Sequence, residues 1–177
     1  MEFQVKRMMR PFPAFLASIA ILSAIVLSGC APDQGKGFEI YLVANDPPPA
    51  MLASISCIII ADEPVIGEKD IVAYDAKSHE IRLTRAAFER IAALPVPVNG
   101  KAFAACVDKE IIYVGAFWTP ISSQSFEGVT IMKPFDDTGD TVLIQLGYPG
   151  GFSGAHDPRG DSRIIAALDR AGKLASA

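Results

Sequence analysis

From Phe38 onward the apolar residues fall into two spacings, one of period two and one of period 3.6. In Phe38-Glu39-Ile40-Tyr41-Leu42-Val43, residues Phe38, Ile40 and Leu42 share a face, which predicts a half-buried strand. Asn45-Asp46-Pro47-Pro48-Pro49 breaks it. Ser54 to Ile60 is β-branched and apolar, so a second strand or an extended packed segment is expected. Ile71-Val72-Ala73-Tyr74 and His79-Glu80-Ile81-Arg82-Leu83 flank a turn at 75–78, a hairpin with Ile81 and Leu83 inward. Thr84 then stands as N-cap of a helix, with Leu83 and Phe88 at hydrophobic-staple spacing. Phe88, Ile91 and Leu94 form its stripe, and Pro95 and Pro97 end it.

The second half repeats the strand pattern more densely. Ala102 to Val107 and Ile111 to Trp118 flank Asp108-Lys109-Glu110 and read as a hairpin. Both arms are apolar at nearly every position, which places them centrally, covered on both faces. Val129–Met132 and Thr141–Leu146 are further strands around an acidic turn at 136–140. A glycine-rich stretch, 147–154, leads to a last helix capped by Asp161 or Ser162, with Ile164, Ile165 and Leu168 inward and Gly172 at its end. The expected fold is α+β: about six to eight mostly antiparallel strands with two helices packed on one side.

Ahead of this lies a different pattern. Lys6, Arg7 and Arg10 precede an apolar run from about Phe12 to Leu27, which closes on Leu27-Ser28-Gly29-Cys30. The run is about 16 residues, short of the roughly 20 a spanning helix needs, and Pro11 and Pro13 sit at its start. The layout is that of a secretory signal. Its last four residues resemble the lipobox of bacterial lipoproteins. That resemblance implies cleavage before Cys30, a diacylglycerol on the Cys30 thiol, and a second acyl attachment. Each buried methylene contributes about 0.8 kcal/mol, so several chains anchor the protein firmly. The implied organisation is a signal peptide at 1–29, a lipidated tether at 30–37 and one domain at 38–177. The implied location is the cell membrane or outer membrane, facing the periplasm or exterior. Ala31 stands where an Asp marks inner-membrane retention in enteric-type lipoproteins, which favours the outer membrane.

Charge narrows the partners. Without residues 1–29 the chain carries 13 Lys and Arg against 19 Asp and Glu. An acidic surface without a basic cluster argues against nucleic acid and anionic headgroups, so membrane attachment rests on the lipid. Two other cysteines remain, Cys57 and Cys106. They either close a disulfide loop of about 50 residues, worth up to about 4 kcal/mol, or stay as buried thiols.

Candidate chemistry is sparse. His79 and His156 lack metal-ligand spacing, so no metal and no cofactor is expected, and His79 beside a turn reads as solvated. Ser153, His156 and Asp157 have triad residue types, but Ala155 stands where a nucleophile elbow needs Gly. Asp136, Asp137 and Asp140 fall short of a calcium loop and read as a turn. Asp62-Glu63 and Glu68 with Asp70 read as acidic loops rather than a catalytic carboxylate pair. The segment 115–126 combines aromatic bodies with hydroxyl and amide groups, which is the material of a binding surface: Phe117, Trp118, Ser122, Ser123, Gln124 and Phe126. The alternative is a core segment under a Ser-rich loop. Strand alternation puts Phe117 and Trp118 on opposite faces, one toward the core and the other free to be exposed.

Three words, His79-Glu80-Ile81-Arg82-Leu83-Thr84, Val96-Pro97-Val98-Asn99-Gly100-Lys101-Ala102-Phe103 and Ile112-Tyr113-Val114-Gly115-Ala116-Phe117-Trp118, carry a resemblance to a family of small, uncharacterised bacterial proteins. The element order is also similar to the periplasmic head subdomain of the export accessory subunit SecD. That pattern covers about a third of the chain and implies an α+β fold without enzymatic activity. The resulting expectation is a non-enzymatic binding or accessory domain contacting a protein or envelope component. The alternatives are an envelope hydrolase using Ser153 or a carboxylate pair, and a structural subunit of an envelope complex.

Overall fold

Strand β1 (Phe38–Leu42) opens a seven-stranded sheet of order β1-β4-β5-β6-β7-β3-β2. The computed structural model describes residues 37–54, 57–136, 138–150 and 157–175. The other strands are β2 (Ile71–Tyr74), β3 (Glu80–Leu83), β4 (Lys101–Val107), β5 (Glu110–Trp118), β6 (Phe126–Met132) and β7 (Thr141–Tyr148). Helices α1 (Arg85–Ala92) and α2 (Ser162–Arg170) complete an α+β fold. All strand pairs are antiparallel except β5 with β6, where Gly115 lies opposite Val129 and Trp118 opposite Met132.

The elements end where local chemistry ends them. Asp108 and Lys109 both have positive φ, +50° and +66°, which joins β4 to β5 by the two-residue turn that matches strand twist. The Thr84 hydroxyl accepts the Ala87 amide at 3.4 Å and starts α1. The Asp161 carboxylate does the same for α2 through the Arg163 amide at 2.9 Å. Gly172, at φ +66°, takes the chain out of α2, and Leu174 then bridges Tyr74 along the free edge of β2.

One core holds the helices to the sheet. Ala87, Phe88 and Ile91 of α1 and Ile164, Ala167 and Leu168 of α2 join Phe38, Ile40, Phe103, Phe117, Ile131 and Ile144. The opposite face is smaller and is covered by irregular chain: Tyr41, Ala104 and Cys106 lie beneath Ile58 and Ile60, and Val43 and Ala102 lie beneath Leu52.

One expectation changes here and one open alternative is decided. Strand β1 is not half-buried, because Tyr41 is fully enclosed and Glu39 is 5% exposed. The segment 57–66 runs antiparallel along its outer edge, pairing Ile40 with Ile66 and Val43 with Ile60. Of the run Ser54–Ile60, the described part 57–60 takes the second of the two expected forms, an extended packed segment. A 3-10 helix, Pro49–Ser54, comes first, and residues 57–60 run extended with that single bridge at Ile60. The prolines at 47–49 favour a tight turn over ladder pairing.

Candidate functional site

The segment 117–126 is divided by the fold into support and surface. Phe117 enters the helix-covered core, its ring tilted against Phe103 with centroids 5.3 Å apart. Trp118 points to the other face, as alternation requires, yet it is only 2% exposed. It stacks on Phe126 with ring centroids 5.3 Å apart and planes 13° from parallel, and Tyr148 closes on it at 5.9 Å. Two glycines make room. A Cβ at Gly100, itself at φ +83°, would lie 2.4 Å from the Trp118 ring, and one at Gly128 would lie 2.5 Å from Phe126. Neither Phe117 nor Trp118 is therefore a free contact residue, because both are enclosed, Trp118 in a slot that Gly100 leaves for it. The Trp118 indole N–H is buried without a hydrogen-bond partner.

Above this aromatic support the loop at 119–125 is braced by polar contacts. The Tyr148 hydroxyl donates toward the carbonyls of Pro120 at 3.2 Å and Ser122 at 3.3 Å. The Ser122 hydroxyl is buried, donates to the Val98 carbonyl at 2.5 Å and accepts the Gln124 amide at 3.2 Å. The chain so held presents Ile121, 75% exposed, beside exposed Ser123, Gln124 and Ser125. Of the predicted surface, Ser123 and Gln124 are exposed, Phe126 is half-buried, and Phe117, Trp118 and Ser122 are interior. Pro120-Ile121-Ser122, a large apolar residue inside a Pro-started polar turn, was the local signal for Ile121.

Beside Phe126 the surface dips into a groove of about 470 Å³, lined by Pro49, Leu52, Val114, Phe126, Glu127 and Gly128 among others. Its walls are mostly apolar, from the 3-10 helix on one side and the start of β6 on the other.

A second polar cluster was not legible in the sequence. The Tyr74 hydroxyl lies 2.7 Å from His79 Nδ1 and 3.3 Å from the Arg159 carbonyl. His79 Nε2 is 3.8 Å from Asp157 Oδ2, too long for a hydrogen bond. Arg159 clasps Asp157 at 2.9 and 2.7 Å and reaches the Ile144 carbonyl at 2.7 Å. The Arg159 hydrogen bond holds the Asp157 carboxyl down to about 2. Burial, then the Arg159 charge, lowers His79 below its ordinary value, and burial pushes Tyr74 up to about 12. The Tyr74 hydroxyl and the neutral His79 ring share one hydrogen bond at Nδ1. His79 is not solvated as the turn suggested: its side chain is 13% exposed and sits at φ +59°. With Tyr74 enclosed and its hydroxyl set between His79 and the Arg159 carbonyl, the cluster ties the β2–β3 hairpin and β7 to the turn before α2.

The other candidates resolve into structure. Cys57 and Cys106 are free thiols rather than a disulfide. Residues 57–60 alternate, turning Ile58 and Ile60 inward and Cys57 to solvent, while Cys106 is enclosed and burial lifts its thiol to about 11. Asp70 binds the Arg90 guanidinium and the Gly67 amide, and the Glu68 carboxylate lies against Gly37. Asp62 and Glu63 are exposed. Asp136 accepts from the Thr138 amide and hydroxyl, and Asp140 from Thr141. Ser153, His156, Asp137 and Cys30 lie outside the described residues. Among the described residues no group of three or more His, Cys, Asp or Glu could hold a metal ion, and no helix is long and apolar enough to cross a membrane.

No family model, no curated protein and no solved structure matches this chain. The reading of function therefore rests on its own residues.

Proposed function

We propose that this chain is a lipid-anchored cell-envelope lipoprotein whose folded part is a non-enzymatic accessory domain that contacts a protein or envelope component. The observation that carries the binding reading is the braced loop at 119–125. Buried Ser122 and the Tyr148 hydroxyl fix its backbone while Ile121 is held outward, so a contact there costs little ordering entropy. The anchor reading rests on Leu27-Ser28-Gly29-Cys30 behind its basic and apolar leader. Together they describe a small domain tethered outside the cytoplasm with a preorganised surface.

The anchor is tested by growing cells with an alkyne analogue of palmitate. The wild-type chain should take up the label and fractionate with membranes, and Cys30→Ala should do neither. Equal labelling of Cys30→Ala, or an intact unlipidated N-terminus by mass spectrometry, overturns the proposal.

A further inference from the structure

The two most exposed large apolar side chains among the described residues are Phe135, at 83%, and Ile121, at 75%; Val98 is 52% exposed. They stand on three different loops that leave the same end of the sheet. Val98 precedes the first residue of β4, Ile121 follows the last of β5, and Phe135 follows the last of β6. The pairings Lys101 with Phe117 and Trp118 with Met132 put those strand ends side by side. The Ser122 hydroxyl ties the Val98 loop to the Ile121 loop, and the Lys133 amide donates to the Trp118 carbonyl.

The chain enters the domain at the opposite end. Phe38 pairs with Val107, and Gly37 exchanges two hydrogen bonds with Asp108 in the β4–β5 turn, at 2.7 and 3.0 Å. Only six residues separate Gly37 from Cys30, seven chain steps with a reach of at most about 25 Å. The nine residues of β5 already span roughly 27 Å, and the loops carrying Ile121 and Phe135 extend beyond it. A domain anchored through Cys30 therefore cannot stand upright on these loops in its own membrane, because Gly37 would be lifted out of reach.

Charge points the same way. Exposed Asp136 adjoins Phe135, and its hydrogen bonds from Thr138 hold its carboxyl below the usual range, so it stays ionised. A carboxylate beside the apolar tip is repelled by anionic headgroups and attracted to a basic side chain.

Resting on the lipoprotein reading above, we infer that the Val98, Ile121 and Phe135 end docks a protein that approaches from the side away from the anchoring membrane. That protein presents an apolar patch bordered by basic residues to meet Phe135 and Asp136.

The test uses full-length lipidated protein in vesicles of phosphatidylethanolamine and phosphatidylglycerol, in a Cys57→Ser background. A donor dye is placed at Lys109→Cys or at Phe135→Cys, with an acceptor on the lipid headgroups. Energy transfer should be severalfold stronger from position 109, and equal or reversed transfer overturns the inference. A photo-crosslinker at 121 or 135 in intact envelopes should then give one discrete protein adduct. The adduct should be missing when the crosslinker stands at exposed Val72, and Asp136→Arg should reduce its yield severalfold. A lipid adduct, a self-adduct, or none at all overturns the docking inference. Absence of palmitate label on Cys30 would instead fail the lipoprotein reading. Retained label with reversed transfer fails this inference alone.

Discussion

On one face of the sheet Phe103, Phe117 and Ile131 meet the apolar stripes of α1 and α2, and regular elements bury regular elements. On the other face Tyr41, Ala102, Ala104 and Trp118 are covered by a 3-10 helix, an extended segment and a loop. The first face is mostly apolar, with the Tyr74 and Tyr113 hydroxyls as polar exceptions. The second buries Glu39 with the Tyr41 hydroxyl at 2.5 Å, Ser122, and the unpaired Trp118 indole N–H. Irregular chain cannot satisfy its own backbone groups, so side chains such as Ser122 and Tyr148 must do it. The face with the less regular cover is also the one with the groove and the exposed Ile121. Regular packing supplies stability here, and braced irregular chain supplies surface.

That division can be broken most decisively at Phe117. Phe117→Ala empties a fully enclosed site among helix-facing aromatics and should cost about 3–5 kcal/mol, whereas Phe126→Ala on the half-buried face should cost about half as much. Equal urea midpoints for the two variants would refute the ranking. Gly115→Ala comes next. Its Cβ would lie 2.4 Å from the Val129 carbonyl and 2.6 Å from the Phe103 ring, at the one parallel contact of the sheet. A loss of about 1–3 kcal/mol is expected, read from the same denaturation curves.

The polar ties give smaller, distinguishable signals. Folding holds His79 below its ordinary value of 6.5, so the folded state binds fewer protons than the unfolded one just below that pH. Stability should therefore fall as pH drops through about 6.5, and His79→Gln should abolish that step. Asp157, held at about 2 against an ordinary 3.8, gives a separate loss between about pH 4 and 2 that His79→Gln leaves in place. A single merged transition in urea titrations across this range would contradict the assignment. Ser122→Ala removes the Val98 and Gln124 contacts and should cost about 1 kcal/mol. Ile121→Ser, on the exposed crest of the same loop, should change stability by less than about 0.5 kcal/mol. If it destabilised as much as Ser122→Ala, Ile121 would be part of the support rather than the surface.

Legibility followed the same line between the faces. The Thr84 cap, the stripe Phe88 and Ile91, the β4–β5 hairpin and the Asp161 cap are all short-range patterns, and each forms where the spacing puts it. For the Ser54–Ile60 run the β-branched composition left a strand and an extended packed segment both open, and residues 57–60 take the second form, with one bridge to β1. For Trp118 alternation gave the face and left core and surface both open, and the structure makes it core. Alternation fixes direction, but what lies over that direction comes from Gly100, Phe126 and Tyr148, up to 30 residues away. His79 was misjudged for the same reason, since Asp157 and Arg159 are distant in sequence and adjacent in space.

By itself the sequence determined the α+β class, the caps and turns, the central hairpin and the expectation of a lipid-bearing Cys30, because each is written in contiguous residues. Tertiary structure alone decided that Cys57 and Cys106 stay apart, that Trp118 is interior, and that Val98, Ile121 and Phe135 gather at the end opposite Gly37. Those outcomes depend on which surfaces cover one another, and covering is settled by long-range packing of the whole chain.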